Sequence, residues 1–283
     1  MLSREEYVEQ AYFFRSLLER LGQNIPLQEL MEQAKWELLA STKLPMAIDL
    51  LLGELRHSGQ MHGGMALLKH YFVPFQTFLI AQAELDRGRF DYRTALRILA
   101  AEAEFRSLPH SNPQGLFFFQ FEALSRNRLN YDRGLKAMSE DPAYSADWQA
   151  WLLILRRQLG LVDLADMIFV RSELYQERRQ RFGEVEPEAP VLFGLAEGKI
   201  ANANRRKDPL FLFAAMHRHL GYPAVPRLEP VDPLPALVPL LQRRVERLEA
   251  RLKLMEEEQR GALDITRYYR GGQLPPAPDD LLE

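Results

Sequence analysis

Apolar residues along this chain recur at three- and four-residue spacing far more often than at alternate positions, a pattern that predicts helices almost throughout. Local start signals separate one helix from the next. Ser3 followed by Glu6 reads as a capping box, with Glu6 able to reach back to the Ser3 amide, and Tyr7, Ala11, Phe14, Leu17, Leu18 and Leu21 then repeat at helical spacing until Gly22. Pro26 and Pro45 suit first helical positions, where no amide hydrogen is needed. They open helices through Leu30, Ala34, Leu38 and Leu39, and from Met46 to His57. The segment from Met65 to Arg87 contains Pro74, which predicts a kink or a split there.

Further along, Asp91 caps a helix to Arg106, and a proline-bounded loop leads to Leu116-Phe117-Phe118-Phe119-Gln120-Phe121. These phenylalanines cannot share one helical face, so this element is expected to be buried on most of its circumference. Ser145 to Leu159 and Leu161 to Arg181, separated by Gly160, predict an αα-hairpin with Trp148, Trp151, Leu152 and Leu155 facing Leu164, Ile168 and Leu174. Asp208-Pro209 opens a last globular helix ending near Leu220 and Gly221. The turn Gly88-Arg89-Phe90-Asp91 before Ala95-Leu96 resembles the inter-helix turn of tetratricopeptide repeats. No second copy follows at that family's period of about 34 residues, so a repeat solenoid is not expected. The fold class that results is all-α, an irregular helical bundle or an array of αα-hairpins over residues 1–221.

Beyond Gly221 the pattern changes. Pro223, Pro226, Pro230, Pro233, Pro235 and Pro239 mark residues 222–238 as an extended linker. Residues 239–260 read as a coiled-coil helix, and residues 261–283, with Gly271-Gly272 and Pro275-Pro276, as a disordered tail. In the helix, Val238, Val245 and Leu252 take heptad position a, and Leu241, Leu248 and Met255 take position d. The register then places Arg244 and Arg251 at g and Glu249 and Glu256 at e. A parallel pair sets Arg244 against Glu249 and Arg251 against Glu256, whereas an antiparallel pair sets like charges together. The expected partner is therefore a second copy of the chain, in parallel and in register.

Composition narrows the chemistry. With 36 basic and 39 acidic residues the net charge is −3, which gives no global attraction to nucleic acid or to an anionic membrane. The absence of cysteine excludes disulfides, thiol catalysis and thiolate-held metals. No apolar run approaches the roughly 20 residues of a membrane span, and the charged start lacks the pattern of a secretory signal, so a cytoplasmic location is expected.

Candidate sites are few. Glu54 and His57 form one Glu-x-x-His element, with His62 and His70 as further candidate ligands, but di-iron bundles need that element twice. Glu102 and Glu104 lie two apart on a helix and diverge. Gly194 to Ile200 lacks the spacing and the hydroxyl of a phosphate loop. The basic runs Arg178-Arg179-Gln180-Arg181 and Arg205-Arg206-Lys207 could meet phosphates only if they converged, and each has acidic neighbours. No cofactor is implied. The functional expectation is a non-enzymatic scaffold or adaptor that self-associates through its C-terminal helix and binds another protein. The alternatives are a helical enzyme or ligand-binding protein with a site near Glu54, His57, His62 and His70, and a nucleic-acid-associated protein.

Overall fold

The structure, a computed structural model, describes residues 2–23, 25–85, 90–181 and 189–227, together with Leu248, Leu252 and Met255. The chain divides into two units, Met1–Leu228 and Glu229–Glu283. The described residues of the first unit form thirteen α-helices and no strand, which establishes the all-α class. In order these are α1 (Arg4–Arg20), α2 (Leu27–Glu37), α3 (Leu44–Ser58), α4 (Met61–Leu67), α5 (Pro74–Ala83), α6 (Tyr92–Ser107) and α7 (Pro113–Arg126). They continue with α8 (Tyr131–Ser139), α9 (Ala146–Gln158), α10 (Leu164–Val170), α11 (Glu173–Arg181), α12 (Leu195–Ala203) and α13 (Pro209–Leu220). The proline-rich stretch after Arg227 and the tail 261–283 lie outside the described residues. So does the predicted seam other than Leu248, Leu252 and Met255.

Helices α2 to α5 pack mainly on their sequence neighbours, and α6 returns to lie along α1. The Ser3 cap forms, accepting from the Glu6 amide at 3.4 Å, but the Glu6 side chain does not reach back. It is buried, and it accepts from the Lys43 amide at 2.9 Å and from the Tyr71 hydroxyl at 2.8 Å. One carboxylate thereby ties α1 to the start of α3 and to the bend before α5. Pro74 splits its segment: it opens α5, while α4 forms separately before it.

Helix α7 is the centre of the core, with every residue from Gly115 to Leu124 buried. Its phenylalanines do point in different directions. Phe117 meets Trp148 and Trp151 of α9, Phe118 stacks on Tyr222, and Phe121 meets Tyr131 and Phe213. Deleting one such ring typically costs about 3–5 kcal/mol. The chain leaving α13 turns at left-handed Gly221 and is held against α7: the Tyr222 hydroxyl donates to Glu122 at 2.7 Å, and the Asn127 amide donates to the Pro226 carbonyl at 3.0 Å.

The expected hairpin of two long helices takes another form. The second helix breaks at Arg171 and Ser172 because the Leu192 and Phe193 amides both donate to the Arg171 carbonyl, at 2.9 and 3.2 Å. Ser172 bridges to Phe193 and opens α11, its hydroxyl accepting from the Tyr175 amide at 3.4 Å. Helix α9 then packs on α8, and α10 packs on α12, so the two arms take different partners. A groove runs between them.

Candidate functional site

Of the predicted seam, Leu248, Leu252 and Met255 are described; each is helical, and they are 54%, 59% and 51% exposed. Offsets of four and three place them on one helical face, which makes an apolar stripe uncovered in the single chain. Val238, Leu241, Arg244, Val245, Glu249, Arg251 and Glu256 lie outside the described residues.

The histidine and glutamate candidates are scattered. Glu54 and His57 sit near the C-terminal end of α3, with His57 exposed, and His70 is exposed in the bend after α4. The partner of His62 is Glu84, whose carboxylate accepts from the Met61 amide at 2.6 Å, from the His62 amide at 3.1 Å and pairs with the His62 ring. Gln60 gives α4 no side-chain cap, so Glu84 supplies one from the end of α5. Among the described residues no group of three or more histidine, aspartate or glutamate side chains could hold a metal ion.

A buried ion cluster lies beneath α1, α6 and α7. Arg106 donates to Glu102 at 2.9 Å and pairs with Asp141, and both carboxylates are fully buried. Gln120 of α7 donates to Glu102 at 2.6 Å and accepts from the Tyr144 hydroxyl at 2.8 Å. Burial opposes the charge on Arg106, but Glu102 and Asp141 overcome it and hold the guanidinium well above its ordinary pKa. Burial raises the Tyr144 phenol well above its usual value, and raises Tyr7, whose ring lies 6.0 Å from the Arg106 guanidinium carbon. Two buried atoms here have no partner, Arg106 Nε and Glu102 Oε2. A cavity of about 210 Å³ lined by Tyr7, Arg106, Asn112 and Leu116 adjoins the cluster. Its charges face one another. Its chemistry is that of a polar lock between α6, α7 and the loop before α9. Glu104, by contrast, points outward and pairs with Arg15 at 3.0 Å.

The two basic runs do come together. Arg178 of α11 and Arg205, which follows α12, each place the guanidinium carbon 5.3 Å from the centroid of Phe169 in α10. Acidic groups nearby are already engaged: Asp166 pairs with Arg205, Asp163 accepts from the Ala165 and Arg206 amides at 3.1 and 2.6 Å, and Asp208 caps α13. On another side of α10 lies the groove against α9, about 280 Å³, with Trp151, Ile154, Val162, Met167, Val170 and Arg171 among its walls. The Arg171 Nη1 atom is buried there without an acceptor.

No family model matches the chain, and no curated protein or solved structure matches it either. The groove and the ion cluster escaped the reading of the sequence. Glu102 and Arg106, four apart, are a legible pair, but a pair at that spacing ordinarily sits on a solvated helix face. Asp141, Gln120 and Tyr144 join it only through the fold.

Proposed function

We propose that the protein is a cytoplasmic, non-enzymatic helical scaffold or adaptor that self-associates as a parallel homodimer through its C-terminal helix and binds another protein. The observation that carries this reading is the stripe of Leu248, Leu252 and Met255, helical and more than half exposed on a single chain. Three large apolar side chains on one face contribute stability only when a second surface covers them. The same three residues occupy d, a and d of the heptad register, whose charge pattern of Arg244 with Glu249 and Arg251 with Glu256 favours the parallel form. The location fits the described helices, none of which is long and apolar enough to cross a membrane.

The chain has no cysteine, so a single introduced thiol is an unambiguous reporter. In a parallel in-register dimer, Val245→Cys places two thiols at facing a positions, within reach of a disulfide. The expected outcome is a covalent dimer on mild oxidation, and two subunits by native mass spectrometry for the unaltered chain. Leu248→Asp with Leu252→Asp should return a folded monomer. A single subunit for the unaltered chain at micromolar concentration would falsify the dimer.

A further inference from the structure

The groove between α9 and α10 combines three properties. Its rim is apolar and open, with Ile154, Val162 and Val170 each more than a third exposed although they belong to a packed helical body. Exposed apolar groups that line a concavity, rather than standing singly, mark interaction surfaces. The groove also carries an uncompensated charge. Its own carboxylate, Asp166, is paired with Arg205, while Arg171 has no carboxylate partner among the described residues and keeps Nη1 buried without an acceptor. Arg171 stands among the groove's walls, so a carboxylate entering the groove would supply the charge-assisted pair that its guanidinium lacks. Finally, at about 280 Å³ the groove falls at the lower edge of the range for drug-sized ligands, and it is open along the seam of two helices. That shape suits side chains projecting from one face of a third helix.

We propose that this groove receives an acidic amphipathic helix of a partner protein, with its apolar side chains against Ile154, Val162, Met167 and Val170 and a carboxylate on Arg171. The inference rests on the adaptor reading only in taking the occupant to be a protein. Arg178, held on Phe169 on another side of α10, adds positive potential to the same region and favours approach by an acidic segment. No strand among the described residues offers an edge for β-addition, and an open seam between two helices suits the helical mode.

The test uses the full chain and a fluorescein-labelled peptide probe with leucines at i, i+3, i+4 and i+7 and glutamates between them. A control probe carries lysines in place of the glutamates. Fluorescence polarisation reports binding, and Trp151, in the groove wall, reports occupancy through its emission. The expected result is that the glutamate probe binds at least about tenfold more tightly than the lysine probe. Ile154→Glu should abolish its binding, and Arg171→Met should weaken it about tenfold and bring the two probes together. Both variants should keep the helical circular-dichroism spectrum of the parent. Equal affinity for the two probes, no binding of the glutamate probe, binding that ignores Ile154→Glu, or displacement of the probe by dodecanoate at equal concentration would each overturn the proposal. Subunit number is measured on the same samples, so a failed groove with an intact dimer is distinguishable from a failed dimer.

Discussion

Two arginines each keep one buried nitrogen without an acceptor, Nε of Arg106 and Nη1 of Arg171, and their surroundings are opposite. Arg106 is sealed beneath three elements and holds two fully buried carboxylates. Arg171 borders an open groove and holds none among the described residues. The same missing hydrogen bond therefore has different meanings. In the cluster it is a small imperfection in a lock whose main bonds are made. In the groove it belongs to a cation beside an exposed apolar rim, where the one carboxylate of the walls, Asp166, is paired with Arg205. A count of unsatisfied atoms does not separate the two cases; the location of the compensating charge does.

The largest expected effect follows from removing the cation of the lock. Arg106→Met leaves Glu102 and Asp141 buried without a counter-charge, and should lower the unfolding free energy by about 3–5 kcal/mol in urea titration. Adding Glu102→Gln and Asp141→Asn to that variant should recover most of the loss, because neutral amides of similar volume carry no ionic desolvation cost. A loss below about 1 kcal/mol for the single variant would mean that the cluster is not a lock, and the contrast with Arg171 would disappear.

A second effect is read in pH. Burial raises the phenol of Tyr144 beside the cluster, and burial followed by a carboxylate hydrogen bond raises those of Tyr71, with Glu6, and Tyr222, with Glu122. In the unfolded chain a tyrosine loses its proton near pH 10. Above that value the unfolded state binds fewer protons than the folded one, so stability, fully present below about pH 10, falls as pH rises. Each such tyrosine should contribute about 1.4 kcal/mol per pH unit to the decline until its folded-state pKa is reached. Tyr144→Phe should reduce the alkaline slope by one tyrosine's share, as followed by denaturant titrations between pH 9 and pH 11. The groove walls contain no tyrosine, so no groove variant should change that slope.

What the sequence made legible was local. Ser3, Asp91 and Asp208 all cap the helices expected of them, because a cap needs only an amide two or three residues away. The crowding of phenylalanines in α7 was likewise readable, since one segment cannot turn four rings to one side. Contacts spanning distant segments were not readable. Glu6 has the spacing of a capping-box residue, yet its carboxylate is used by Lys43 and Tyr71. The break at Arg171 is made by Leu192 and Phe193, and the cap of α4 by Glu84. The groove exists because α9 and α10 choose different partners, which a helical period shared by both cannot reveal.

The smallest effect is the sharpest for the comparison. The Arg171 side chain pairs with no carboxylate among the described residues, so Arg171→Met removes a buried donor without orphaning an acceptor there, unlike Arg106→Met. Its methionine stem keeps the apolar packing of the arginine stem while discarding a partly desolvated charge. The unfolding free energy should then stay within about 0.5 kcal/mol of the parent, or rise slightly. A loss as large as that of Arg106→Met would make Arg171 a structural residue, and the groove would lose the one feature that distinguishes it from imperfect packing between two helices.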